Sequence, residues 1–129
     1  MKITTFDPLI ISPKADDVMQ VFTALGFEKT HAPVTQTENG EVASVRMKDA
    51  NGFHVDVASL DRVPQDMTYI RMNVDNFEEA YNILIAHGFK NTRGDGTLDT
   101  KSAKAATMVS PSGFKISLIE HIKKTIDRG

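Results

Sequence analysis

Two residues that could do chemistry together, His54 and Asp56, are separated by one position in a segment of alternating apolar side chains. Alternation places both on one face of a β-strand, where an imidazole and a carboxylate can act as a general acid and base. The same spacing occurs in mononuclear iron sites, which need a second histidine, and His31, His87 and His121 are the candidates. His54 and Asp56 are therefore the candidate catalytic residues, and a solvated pair on a polar sheet face is the alternative.

Other polar side chains alternate with apolar ones along the neighbouring segments. In one segment the apolar set is Ile70, Met72 and Val74, which we expect to pack on a helix while the polar set forms the opposite face. That face is the predicted ligand-binding surface and carries Asp7, Arg46, His54, Asp56, Tyr69, Arg71, Asn73, Lys115 and Ser117. Its mixed charges are typical of a ligand cleft in which Arg71 captures an anion. The alternative is an open face that meets water or a second subunit.

The elements that position these residues occur twice along the chain. Ala24-Leu25-Gly26-Phe27 is repeated as Ala86-His87-Gly88-Phe89, 62 positions later, and Gly52-Phe53 is repeated as Gly113-Phe114, 61 positions later. Two landmarks with nearly one offset indicate two copies of one supersecondary unit. We therefore predict two modules, at about 1–61 and 67–122, within one domain of 129 residues.

Each module is predicted to contain one strand, one helix and three further strands. The first module has strands at Ile3–Ser12, Glu28–Thr37, Val42–Met47 and Phe53–Leu60, and a helix at Ala15–Leu25. The second has strands at Thr68–Val74, Ala105–Val109 and Phe114–Ile119, a helix at Asn76–His87, and a loop around a short strand in 91–104. Asn76 and Glu79 have the spacing of a capping box. We expect six phenylalanines in the core: Phe22, Phe27, Phe53, Phe77, Phe89 and Phe114.

Composition excludes several classes of function. The chain has a formal net charge of −2 and no basic run, which argues against a nucleic-acid partner. No apolar stretch reaches membrane-spanning length and no signal-peptide pattern precedes the first strand, so we expect a cytoplasmic protein without a membrane partner. The absence of cysteine excludes disulfides, thiolate nucleophiles and cysteine metal ligands.

Two βαβββ modules that each end in a Gly–aromatic strand resemble the vicinal oxygen chelate superfamily. This superfamily includes glyoxalase I, the bleomycin-resistance proteins and the extradiol dioxygenases. The matching stretches are Ala15–Phe27, Gly52–Val57, Tyr69–Asn76 and Ser110–Glu120. The resemblance implies an α+β fold in which tandem modules curl a mixed sheet into a cup, a site on the concave polar face, and a homodimer.

The metal enzymes of that superfamily place a ligand early in the first strand and another in the last strand of each module. The matching positions here are Phe6 or Asp7, depending on register, together with Asp56, Tyr69 and Ser117. A catalytic divalent site needs about three good protein ligands, and only Asp7 and Asp56 qualify. We therefore expect no metal ion or other cofactor.

The resemblance leaves two classes of function. The first is a metal-independent small-molecule-binding protein, similar to the bleomycin-resistance branch, with its ligand in the concave sheet cleft. The second is an enzyme, a lyase, isomerase or dioxygenase, that acts on a small oxygenated substrate through a different site. We expect the first class, although Arg46, Arg71 and Lys115 and the absence of tryptophan do not suit a cationic drug.

Overall fold

The structure is a computed structural model that describes residues 1–31, 34–37, 40–94, 98–99 and 103–121. Its two helices are α1 (Ala15–Ala24) and α2 (Phe77–Ala86). The strands of the first half are β1 (Ile3–Ser12), β2 (Glu28–His31), β3 (Val34–Thr37), β4 (Gly40–Lys48) and β5 (His54–Ser59). Those of the second half are β6 (Met67–Val74), β7 (Lys90–Asn91), β8 (Leu98–Asp99), β9 (Ala103–Val109) and β10 (Lys115–His121). The element order thus repeats once, which confirms the tandem α+β arrangement.

The chain forms two compact units. We call Asp7–Ile70 the N-terminal unit, and Met1–Phe6 together with Arg71–Gly129 the C-terminal unit. Both divisions fall inside strands, the first within β1 and the second within β6. Neither of the helices in the described residues is long and apolar enough to span a membrane.

The sheet of the N-terminal unit is mixed, and α1 covers one of its faces. Its strand order is β2-β4-β5-β1, with β5 parallel to β1 and antiparallel to β4. Ala15 and Met19 of α1 pack on the strand residues Met47, Val55 and Val57 in one buried cluster. Because side chains alternate along β5, Asp56 lies on the opposite face.

The opposite face of the N-terminal unit is only partly polar. Leu9, Ile11 and Ala58 form a second buried cluster with Val63, from the segment after β5, and with Tyr69. Leu9 is also the register partner of Asp56 in the parallel pair β1–β5. Charged and apolar groups therefore lie side by side on this face.

In the C-terminal unit the strand order is β6-β10-β9-β7, with β9 and β10 antiparallel. The side-chain oxygen of Asn76 accepts a hydrogen bond of 3.0 Å from the backbone N–H of Glu79, which confirms the predicted cap. The next residue, Phe77, donates its backbone N–H to Glu120 Oε1 at 2.7 Å. This contact attaches the start of α2 to β10, so that Glu120 lies on the helix-covered face and Lys115 and Ser117 lie on the other.

Two details of the sequence prediction were wrong. The predicted single strand Glu28–Thr37 corresponds to two strands, β2 and β3, and the pairing of β2 with β4 shifts register between Lys29 and His31. Phe53 and Phe114 are 69% and 50% exposed, although we expected both in the core. Each follows a glycine with positive φ in the turn before its strand, outside the regular alternation that buries strand residues.

Gly88→Ala is expected to destabilise the protein more than the matched variant Gly26→Ala. Both glycines have positive φ, of 91° and 107°, which strains an alanine by roughly 1–2 kcal/mol. A Cβ at residue 88 would also lie 2.9 Å from Pro111 Cγ, whereas one at residue 26 meets no described atom within 4 Å. Urea unfolding of the two variants measures the difference, and equal losses of stability would contradict the Pro111 contact.

Candidate functional site

The predicted site residues of the N-terminal unit are organised around one buried ion pair. Arg46 and Asp56 are register partners on β4 and β5. The guanidinium donates from Nε to Asp56 Oδ1 at 2.8 Å and from Nη2 to Asp56 Oδ2 at 3.0 Å. Asp7, on β1, places its Oδ2 4.0 Å from Arg46 Nε. The structure thus brings three predicted site residues into one charged cluster, in which Asp56 is fully buried.

The ion pair fixes the charge of Arg46. Its hydrogen bond to Asp56 raises the pKa of Arg46 above the ordinary value of arginine, against the opposing effect of burial. The negative charges of Asp56 and Asp7 act in the same direction as that hydrogen bond. Arg46 therefore stays protonated throughout the neutral pH range, and its positive charge compensates the buried carboxylate of Asp56.

A divalent metal ion does not fit the positions that the superfamily resemblance indicates. Both carboxylate oxygens of Asp56 already accept hydrogen bonds from Arg46, whose positive charge would repel a cation. Tyr69 is buried in the apolar cluster of Leu9 and Ile11. Across the described ranges, no three His, Cys, Asp or Glu side chains are grouped closely enough to hold a metal ion.

The candidate catalytic residues His54 and Asp56 have different surroundings. His54 is exposed at the start of β5, where its register partner is Lys48 on β4. Asp56 is buried and accepts hydrogen bonds from Nε and Nη2 of Arg46. A catalytic role for this pair stays a prediction. Among the candidate second histidines, His87 and His121 are exposed, and the side chain of His31 lies outside the described residues.

The remaining predicted site residues lie in the C-terminal unit. The offset of the sequence repeat relates Leu9 to Arg71 and Asp56 to Ser117, and Leu9 and Asp56 are register partners on the face away from α1. The equivalent face of the C-terminal unit therefore carries four of the predicted site residues. We call it the C-terminal polar face, and its members are Arg71, Asn73, Lys115 and Ser117. Arg71 is almost completely buried and Lys115 is half-buried.

Two residues of this face, Asn73 and Ser117, each bury a side-chain oxygen without a hydrogen bond. Asn73 is 7% exposed and Ser117 is 2% exposed. In the part of the chain that the structure describes, neither Asn73 Oδ1 nor Ser117 Oγ has a hydrogen-bond partner. A buried polar group left unpaired costs about 1–3 kcal/mol, so such groups usually meet a water molecule or a ligand.

An open cleft of about 580 Å³ adjoins Asn73 at the ends of β6 and β10, and we call it the end cleft. Its polar lining comprises Thr4, Thr5, Asn73, Asp75, Glu120 and His121, all in the C-terminal unit. Of these residues, the sequence predicted Asn73 for the ligand-binding surface and His121 as a candidate second histidine, and it did not predict the others. Asp75 and Glu120 come directly after the last residues of two predicted strands. This position in the sequence was the signal that could have identified them.

A second cleft, of about 500 Å³, lies at the start of α1 in the N-terminal unit. Ala15, Asp16 and Asp17 line it together with Ser44 and Asp61. It contains none of the predicted site residues. Of the two clefts, the end cleft is therefore the one that joins the predicted ligand-binding surface.

We expect the Arg46–Asp56 pair to be strongly coupled in stability. Arg46→Met leaves a buried, uncompensated carboxylate and should lower the free energy of unfolding by about 3–5 kcal/mol. The double variant Arg46→Met/Asp56→Leu removes both charges and should lose less than Arg46→Met alone. Urea unfolding of the two single variants and the double variant measures the coupling. Losses that simply add would show that the two side chains do not depend on each other.

Comparisons with known proteins found similar folds among solved structures. No protein-family model matches the sequence, and no curated protein does either. Methylmalonyl-CoA epimerase from Mycobacterium tuberculosis superimposes with a TM-score of 0.67 at 10% identity, covering 98% of this chain and 93% of that chain. A variant of the Streptomyces coelicolor methylmalonyl-CoA epimerase gives 0.63 at 14% identity, covering 95% and 100%.

Glyoxalase I from Zea mays is also similar, with a TM-score of 0.62 at 13% identity. The match covers 95% of this chain and 45% of the maize protein, so the chain spans less than half the length of that enzyme. Identities this low carry information on the fold alone. This chain has the fold of methylmalonyl-CoA epimerase and glyoxalase I, which is the fold that the resemblance to the vicinal oxygen chelate superfamily implied.

Proposed function

We propose that the protein binds a small carboxylate on the C-terminal polar face, without the help of a metal ion. The observation that carries this proposal is the buried hydroxyl of Ser117, whose Oγ has no hydrogen-bond partner among the described residues. A serine hydroxyl can donate a hydrogen bond to a carboxylate oxygen. A bound carboxylate would therefore satisfy Ser117 Oγ, whereas the neighbouring Asn73 Oδ1 needs a hydrogen-bond donor.

The charges of the same face support an anionic ligand. Arg71 and Lys115 both carry positive charge, and they lie on neighbouring strands, β6 and β10. Charge-assisted hydrogen bonds from such groups to a carboxylate are about twice as strong as neutral ones. Burial of Arg71 and Ser117 lowers the local dielectric, which strengthens these interactions further.

The N-terminal unit is the weaker candidate for a ligand site. Its equivalent position holds Asp56, whose two oxygens already bind Arg46. The apolar cluster that includes Leu9, Ile11 and Tyr69 occupies a further part of that face. We also propose, from the resemblance, that the protein works as a cytoplasmic homodimer with a small molecule as its ligand.

The proposal is tested by calorimetric titration with pentanoate of the parent protein and of two matched lysine variants. Lys115→Gln removes a positive charge from the C-terminal polar face and should weaken binding about tenfold, the equivalent of one charge-assisted hydrogen bond. Lys104→Gln removes an exposed charge from the opposite face of the same sheet, next to Glu120 in register, and should leave binding unchanged. Equal effects of the two substitutions would overturn the proposal, and so would failure of the parent protein to bind any small carboxylate.

The second candidate function is an enzyme of the same fold, and the observation that favours it is the similarity to epimerases along nearly the whole chain. An epimerase must remove and return a proton on the carbon that it inverts. Incubation of the protein with a bound carboxylate in D2O, followed by proton NMR, would detect such exchange next to the carboxyl group. Deuterium incorporation that exceeds the protein-free rate would support the enzyme, with His54 and Asp56 as the first residues to substitute.

A further inference from the structure

We infer that the ligand is an ω-amino carboxylate, with its carboxylate on the C-terminal polar face and its ammonium group in the end cleft. This inference rests on the proposed function and adds the class of ligand. It follows from the opposite chemical character of two adjoining surfaces in one unit. One surface carries Arg71 and Lys115, and the other carries Asp75 and Glu120.

The end cleft is suited to a hydrogen-bond donor with positive charge. Asp75 and Glu120 supply two carboxylates, and the hydroxyl oxygens of Thr4 and Thr5 are further acceptors in its lining. The described positive side chains of the unit are absent from this lining, apart from His121 when it is protonated. A carboxylate ligand alone would be repelled here, whereas an ammonium group would be attracted.

Both carboxylates are held in place by backbone groups. Asp75 Oδ1 accepts a hydrogen bond of 2.6 Å from the N–H of Lys2, and Asp75 returns its own N–H to the carbonyl of Lys2 at 3.0 Å. Glu120 Oε1 accepts from the N–H of Phe77 at 2.7 Å. Because an ionised carboxylate has about four lone-pair sites, each keeps acceptor capacity for a ligand.

Asn73 connects the two surfaces. It belongs to the C-terminal polar face and also lines the end cleft, and its Oδ1 has no hydrogen-bond partner within the described ranges. The terminal torsion of asparagine is broad, so a small rotation turns this oxygen toward the cleft. There it can accept a hydrogen bond from the ammonium group and complete a set of three acceptors with Asp75 and Glu120.

The spacing along β6 sets the length of the ligand. Arg71 and Asn73 are two residues apart on one strand face, which corresponds to roughly 6–7 Å. An α-amino acid places its two charged groups closer together than this. A chain of three methylene groups, as in 4-aminobutanoate, can extend over such a separation.

The test compares two ligands of nearly equal size by calorimetric titration. 4-Aminobutanoate has an ammonium group where pentanoate has a terminal methyl group. We expect 4-aminobutanoate to bind at least about tenfold more tightly than pentanoate, and glycine to bind more weakly than 4-aminobutanoate. Equal affinities for 4-aminobutanoate and pentanoate would overturn the inference and leave the proposed function standing, whereas failure of every carboxylate to bind would overturn both.

Variants that remove a negative charge from the end cleft test where the ammonium group of the ligand binds. Asp75→Asn and Glu120→Gln each keep an acceptor oxygen for the backbone contact while removing the charge. Both substitutions should weaken the binding of 4-aminobutanoate about fivefold or more and leave the binding of pentanoate unchanged. Glu78→Gln, on the exposed first turn of α2, is the matched control and should change neither ligand. A loss of affinity for pentanoate equal to that for 4-aminobutanoate in the charge variants would contradict this position for the ammonium group.

Discussion

A single helix covers one face of a small sheet, and the polar groups of the other face must then find partners of their own. This constraint shapes both units. In the N-terminal unit α1 packs on Val55 and Val57. The uncovered face carries the Arg46–Asp56 ion pair and an apolar cluster around Leu9. In the C-terminal unit Asn73 and Ser117 remain unsatisfied by the chain that the structure describes.

The two units place different side chains at equivalent positions of the same repeated arrangement of strands and helix. Arg46 opposes Asp56 across β4 and β5, and the equivalent antiparallel pair in the C-terminal unit is Thr107 and Ser117. An ion pair at one position thus corresponds to two hydroxyl residues at the other. Conversely, the apolar Leu9 corresponds to Arg71 by the offset of the repeat. Equivalent positions of the two units therefore carry different charges, and the proposed anion site lies in the unit that has Arg71 at this position.

Much of the fold was predictable because the repeat, the strand alternation and the glycines that end the helices are local signals. The common face of Arg46 and Asp56 followed from alternation, but their pairing did not, since strand register depends on which segments meet. The burial of Tyr69 was unpredictable for the same reason: residues of its cluster such as Leu9 and Ile11 are distant in sequence. The end cleft was missed because Asp75 and Glu120 lie where two predicted strands stop, and sequence patterns define strand ends poorly.

We expect a ligand to bind at the C-terminal polar face and to leave the Arg46–Asp56 pair intact. Site-resolved NMR during a titration with pentanoate distinguishes the two faces. We expect shifts in the side-chain NH2 signal of Asn73 and the backbone amides of Asn73 and Ser117, while the Nε–H signal of Arg46 stays in place. Shifts confined to Arg46 and its neighbours in the N-terminal unit, with Asn73 unchanged, would contradict this expectation.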